Sequence, residues 1–331
     1  MIDSITCISG NIVDIAKRKI YPGTLEISGG RISRIIPEGR KYPIYLIPGF
    51  IDSHVHIESS MLTPSEFART AVIHGTVGAV CDPHEIANVM GVDGVKYMIK
   101  NGSSVPFKFF WGAPSCVPAT NHETAGARID ASQTEMLLRM DEVRFLSEVM
   151  NFPGVLRNDP DILAKIALAK SYNKVIDGHA PGLGGEELER YIGAGISTDH
   201  ECFSLPEALE KLSLGMKIQI REGSAAKNFD ELIGIAKEHP DSCMFCSDDI
   251  HPDDLKTAHI NQLVKRAIQY GIDNVDVLRI ASFNPIKHYK LDVGLLQPGD
   301  PADFLVVDEF PTLGILKTVI NGRVVAQDGE V

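Results

Sequence analysis

The chain has 331 residues, 44% of them hydrophobic and 23% charged, which is enough to bury a large core in an ordinary globular protein. A formal net charge of -12 excludes a surface built for nucleic acid or anionic lipid, because phosphate binding needs clustered Lys and Arg. No apolar run reaches membrane-span length, no basic and apolar leader opens the sequence, and the six cysteines set no disulfide framework, so a cytoplasmic protein is expected.

Residues 1–43 read as short strands separated by turn signals such as Gly29-Gly30. The far end, 296–331, has the same character, with Phe304-Leu-Val-Val307 and Thr318-Val-Ile320 as apolar runs. The two ends are therefore expected to form one small β-sandwich domain. Between them, 44–295 alternates strand-like and helix-like segments. Strand candidates fall at 45–51, 76–81, 107–111, 144–149, 174–177, 195–198, 217–220 and 243–246. Helical stripes include Ile162, Leu163, Ile166 and Ala167, then Leu205, Ala208, Leu209 and Leu212, then Phe229, Leu232, Ile233 and Ala236. Residues 135–140 give a weaker helical pattern. Strict alternation implies parallel strands, and eight of them imply an α/β fold of the (β/α)8 TIM-like barrel type. An open doubly wound sheet is the alternative. Cys243-Met-Phe-Cys246 lies in an apolar run and reads as strand core rather than a metal or redox motif.

A barrel keeps its chemistry at the carboxyl ends of its strands. His54-Val-His56 ends the first strand, and a period of two points both imidazoles to one side. Glu148 ends the fourth strand, His179 the fifth, His200 the sixth and Asp248 the eighth. Neutral imidazoles and carboxylates are donors for divalent cations, and six are too many for one tetrahedral ion. A pair of ions about 3.5–4 Å apart uses them all. His54, His56 and Asp248 are assigned to one ion, His179 and His200 to the other, with Glu148 bridging. Such a pair would lower the pKa of bound water to about 7, with Asp248 as general base and then general acid. His74, His239, His259 and His288 read as helix-associated, and His122 and His251 as outlying groups near the same edge.

The stretches His54-Val-His-Ile-Glu-Ser-Ser-Met61, Cys81-Asp-Pro-His-Glu-Ile-Ala-Asn-Val-Met-Gly91 and Ser115-Cys-Val-Pro-Ala119 resemble the amidohydrolase superfamily, and within it the adenine deaminase family. So do Glu148-Val-Met-Asn-Phe-Pro-Gly154, Asp177-Gly-His-Ala-Pro-Gly-Leu-Gly-Gly185, Ile220-Arg-Glu-Gly-Ser-Ala-Ala226 and Cys246-Ser-Asp-Asp249. The resemblance covers nearly the whole chain and places a glutamate, matched by Glu148, where many relatives carry a carboxylated lysine. It implies hydrolysis of adenine to hypoxanthine and ammonia by a hydroxide shared between two divalent ions, Mn²⁺ or Fe²⁺, with Zn²⁺ as a further option. Asp82 and Glu58 join Asp248 as catalytic candidates, and His84, Glu85, Arg221, Glu222 and Ser224 become candidates for substrate contact. Adenine is the implied partner, no nucleic acid or membrane is implied, and a homo-oligomer is expected. Members of that family continue into a further C-terminal domain that this sequence lacks, so a catalytically impaired form is one alternative. Another amidohydrolase acting on a cyclic amide or N-acyl substrate is the second, and a non-catalytic barrel the third.

Overall fold

The computed structural model describes residues 5–120, 122–310 and 312–331. β1 (Cys7–Asp14), β2 (Lys19–Ser28) and β3 (Arg31–Pro37) form an antiparallel meander, and β4 (Tyr45–Pro48) lies parallel to β1. Strands then alternate with helices through β5 (Phe50–Val55), β6 (Thr76–Cys81), β7 (Lys108–Ala113) and β8 (Val143–Val149). The alternation continues through β9 (Val175–Gly178), β10 (Thr198–Asp199), β11 (Lys217–Arg221) and β12 (Cys243–Cys246). The chain returns in β13 (Phe304–Val307), β14 (Ile315–Ile320) and β15 (Arg323–Gln327), with β13 antiparallel to β4.

Both ends therefore share one seven-stranded sheet, in the order β15-β14-β13-β4-β1-β2-β3. The hydrogen bonding is that of a single continuous sheet, and bonds such as Ile32 N to Asp300 O bring its two ends together. Its own apolar cluster includes Ile12, Leu25, Ile32, Leu46, Phe304 and Val319. The expected strand at 45–51 is divided between this sheet and the next. Gly49 sits at the break, where a Cβ would lie 2.4 Å from a methyl of Val77, so the chain turns from one sheet into the other against β6.

β5 to β9 form a parallel sheet in chain order, and β10 to β12 form a second. Every residue of β6 is buried, as a parallel strand covered on both faces requires. Backbone hydrogen bonds cross both gaps between the two sheets. Ser197 N donates to Ile176 O at 3.0 Å on one side, and Asp248 N donates to His54 O at 2.9 Å on the other. The segment expected at 195–198 is reduced to the two residues of β10.

Among the helices, Phe229–Glu238 buries Phe229, Leu232, Ile233 and Ala236, the stripe its spacing predicts. Ala131–Leu138 starts earlier than its apolar pattern suggests, because Asp130 and Gln133 form a reciprocal capping box. Leu205–Ser213 departs from its pattern. Leu205 and Leu209 are 43% and 42% exposed, while Ala208 and Lys211 face inward. The ammonium of Lys211 finds three acceptors there, two of them buried, and satisfying it outweighs covering two leucines. No helix among the described residues is long and apolar enough to cross a membrane.

Candidate metal centre

The carboxyl ends of the parallel strands bring the six expected donors together. His54 is the fifth residue of β5, and His56 follows the strand's end, so the pleat aims both rings inward. Their Nε2 atoms lie 3.2 Å apart. Asp248, just past β12, stands in the left-handed region at φ 54°. That strained backbone is held from both sides, since its N–H bonds to His54 O and its carbonyl accepts from His56 N at 3.2 Å. The Asp248 Oδ1 atom is consequently 3.2 Å from His56 Nε2 and 3.7 Å from His54 Nε2.

Glu148 in β8 spans the cluster. Its Oε2 accepts from His179 Nδ1 at 2.7 Å and lies 3.2 Å from His200 Nε2, while Oε1 is 3.3 Å from His56 Nε2. His179 and His200 meet because β9 ends in Gly178, where a Cβ would fall 2.3 Å from Thr198 O. Only glycine lets the two strand ends approach so closely. The His54 and His200 rings stack at 4.1 Å.

Four donor groups at the cluster each hold their ligand atoms within 4.8 Å of one another: His54, His56 and Asp248; His54, Glu148 and His200; His179, His200 and Glu201; and His56, Asp82, His84 and Glu148, while a fifth, Asp199, Cys202 and Glu207, contains none of the six donors. Among the described residues, His54 Nδ1 and both ring nitrogens of His200 are buried without a hydrogen-bond partner. Uncompensated imidazole nitrogens are costly in a protein core, and a divalent cation at the cluster would satisfy His200 Nε2, which lies 3.2 Å from Glu148. The donor set fits a metal.

Electrostatics agree with that fit. Burial drives His54 well below its usual value, helped by the charges of His200 and His56. For His56, burial acts in the same direction, but hydrogen bonds to Asp248 and Glu148 outweigh it and hold the ring well above. His200 is likewise pushed up to about 9, with burial opposed by the Glu148 carboxylate 3.2 Å away. Burial would raise both carboxylates, yet the imidazoles hold Glu148 and Asp248 well below the usual range.

The remaining expected residues divide into two sets. Asp82 is buried, its carbonyl accepts from His56 Nδ1 at 3.0 Å, and its Oδ2 lies unpartnered 3.2 Å from His84 Nδ1. His84 Nδ1 is in turn 3.6 Å from Glu148 Oε1, so this pair borders the cluster. Glu58 accepts from Ile86 N at 3.1 Å through Oε1, and burial raises its carboxyl. Arg221 is 2% exposed and pairs through one nitrogen with both Asp248 and Glu201. Glu85 occupies the first turn of helix His84–Met90 and, among the described contacts, makes none with the cluster. Glu222 turns outward to Arg266 at 2.8 Å and Lys227 at 3.4 Å. Ser224 receives His251 N at 2.8 Å and donates to Asp254, a loop-fixing role away from the donors.

Two residues of the site escaped the sequence reading. Glu201, next to His200, holds Arg221 in a two-point pair and stands 3.6 Å from His200 Nε2. An acid adjoining a strand-end histidine, opposite a buried arginine, was the available signal. Asp52 is fully buried beneath His54 and accepts from Ser247 N at 3.0 Å, His259 Nε2 at 2.9 Å, His54 N at 3.3 Å and the Ser247 hydroxyl. His259, read as merely helix-associated, is thereby a buried partner of the strand that carries His54.

Imidazoles and carboxylates gathered at the carboxyl ends of parallel strands are the architecture of metal-dependent hydrolases. The amidohydrolase family matches residues 45–325, and the chain belongs to that family. It is 57% identical over 317 residues to an adenine deaminase of Sulfurovum sp. (strain NBC37-1), covering 96% of this chain and 60% of the relative. An adenine deaminase of Salinibacter ruber is 56% identical over 323 residues, covering 98% of this chain and 59% of the relative. The chain thus spans about 60% of the length of the curated relatives it matches. Among solved structures, N-acetylglucosamine-6-phosphate deacetylase of Thermotoga maritima aligns with a TM-score of 0.72 at 15% identity, covering 97% of this chain and all of that one. The β-aspartyl dipeptidase of Fervidobacterium islandicum AW-1 aligns at 0.70 with 17% identity, covering 98% and 97%. These likenesses concern the fold.

Proposed function

We propose that this chain carries the active centre of an adenine deaminase, converting adenine and water to hypoxanthine and ammonia. The observation that carries the reading is the 57% identity to an adenine deaminase across 96% of the chain. The gathered donors support it from the side of chemistry. In this reading β5 to β12 act as one closed (β/α)8 barrel within 44–295, and residues 1–43 with 296–331, joined by the bordering strand β4, form a separate small β domain. The hydrogen bonds across both gaps support closure, and the separate apolar cluster supports the division. The cysteines, all free, fit a reducing cytoplasm.

His54, His56 and Asp248 would hold one divalent ion, His179 and His200 the other, and Glu148 would bridge them. Mn²⁺ or Fe²⁺ is favoured, with Zn²⁺ an accepted substitute for such nitrogen and oxygen donors. When bound, the ions would lower the pKa of a water so that a nucleophile exists at neutral pH. Asp248 then takes the proton released as oxygen bonds to C6 of the purine and passes it to the departing amine. Arg221 keeps Asp248 ionised between turnovers, and Glu201 shares that arginine so that its charge is not spent on Asp248 alone. Asp82, His84 and Glu58 border the cluster and orient the ring, with the unpartnered Asp82 Oδ2 free to meet a ring nitrogen. Glu85, Glu222 and Ser224 shape the surrounding loops.

Ammonia release from adenine after Mn²⁺ reconstitution tests the reading. Adenine turnover without ring opening of hydantoin or dihydroorotate is expected. Ring opening with no ammonia from adenine would instead place the chain among cyclic-amide hydrolases.

A further inference from the structure

Lys211 is fully enclosed, with its side chain 0% exposed, in a helix whose neighbouring leucines are left in solvent. Its ammonium has three hydrogens and meets three acceptors: Ala180 O at 2.7 Å, Asp199 Oδ2 at 3.0 Å and Glu207 Oε1 at 2.8 Å. Asp199 is equally buried, and its Oδ1 accepts from Ala180 N at 2.8 Å. Ala180 is therefore gripped at both its N–H and its carbonyl. The same carboxylate accepts from Glu201 N at 3.1 Å and from the Cys202 thiol at 3.0 Å, while Glu207 receives Gly182 N at 2.8 Å.

The placement of this network gives it meaning. Ala180 directly follows His179, and Asp199 directly precedes His200. Neither charge touches the donor cluster, yet together they tie the loop after β9 to the end of β10. A buried ion pair is poor evidence for stability, since well-packed apolar residues commonly do as well. Its value lies in geometry, and ligand positions must hold within about 0.5 Å to bind well.

We propose that Lys211 is a positioning residue for the second ion, acting through Ala180 and Asp199 on His179 and His200. The proposal rests on the two-ion reading above. It separates the two halves of the cluster, because His54, His56 and Asp248 come from β5 and β12 and none of them bonds directly to this network, whose nearest link to Asp248 runs through Glu201 and Arg221.

The test is a titration of the whole apo chain with Mn²⁺, with free Mn²⁺ read by electron paramagnetic resonance. The unaltered chain should show two sites. Lys211→Met should weaken the second by about 10–100-fold, the usual effect of removing a partner that orients a ligand, and leave the first within twofold. Because Met strands Asp199 in the core, the double variant Lys211→Met/Asp199→Asn is measured beside it. The double variant removes the unpaired charge, should fold as judged by circular dichroism, and should still bind the second ion weakly. Equal weakening at both sites, or recovery of the second site in the double variant, would make Lys211 a stability element only and overturn the proposal. Fewer than two sites in the unaltered chain would defeat the two-ion reading itself, and the role of Lys211 with it.

Discussion

Replacing Asp52 by alanine should damage the junction between the strands that carry His54 and Asp248. Its two oxygens accept four hydrogen bonds, three of them from buried strand and loop groups: Ser247 N, His54 N and His259 Nε2. The fourth donor, the Ser247 hydroxyl, can rotate to another acceptor. Each buried donor left unpaired costs about 1–3 kcal/mol, so Asp52→Ala should lose roughly 3–9 kcal/mol. That is a large part of the roughly 5–15 kcal/mol that keeps a typical domain folded. Asp52→Asn keeps the shape and still accepts from both amides. Thr76, 2.7 Å from His259 Nδ1, lets the ring change tautomer to meet the new amide, so the loss should be about 2 kcal/mol. Urea unfolding followed by circular dichroism, with chelator present so that metal linkage does not contribute, measures both. An alanine variant within about 1 kcal/mol of the unaltered chain, or an asparagine variant as damaged as alanine, would refute the clasp.

Glu148→Gln removes the one charge shared by His56, His179 and His200, so fewer than one Mn²⁺ per chain should survive gel filtration. Two retained ions by elemental analysis would deny the bridge. Asp248→Asn should keep the fold but lower adenine turnover by about 10²–10⁴-fold, the ordinary contribution of a positioned proton carrier. A near-native rate would remove Asp248 from that role. Asp177, enclosed beneath the site, has its carboxyl raised to about 7 by burial, against hydrogen bonds from Tyr289 and Thr198. A carboxyl raised on folding favours the native state most fully below its unfolded value near 3.8, and that support is lost as pH climbs through 7. The unaltered chain should therefore lose about 3 kcal/mol more than Asp177→Asn between pH 5 and pH 8 in chelator-containing urea titrations. Parallel pH profiles would show that Asp177 does not titrate in the folded chain.

What the sequence made legible was whatever depends on near neighbours. The spacing of His54 and His56 fixes their common side, and the apolar runs at 76–81 and 243–246 coincide with β6 and β12. Because ligands follow strand ends, Glu148, His179, His200 and Asp248 could be found one strand at a time. What depends on distant partners could not be read. Asp52 meets Ser247 across 195 positions, and Lys211 meets Ala180 across 31. The break at Gly49 depends on Val77, and the rotation of helix Leu205–Ser213 depends on acceptors supplied by other loops. Glu222 and Ser224 lie beside Arg221 in sequence, but the chain beyond β11 carries them outward to Arg266 and Asp254.

Anomalous diffraction from crystals of the Mn²⁺-loaded chain, recorded at the manganese edge, tests the paired centre most directly. Two peaks about 3.5–4 Å apart are predicted, one against His54, His56 and Asp248, the other against His179 and His200, with Glu148 between them. A single peak, or a second one seated between Asp82 and His84 away from His179 and His200, would contradict it.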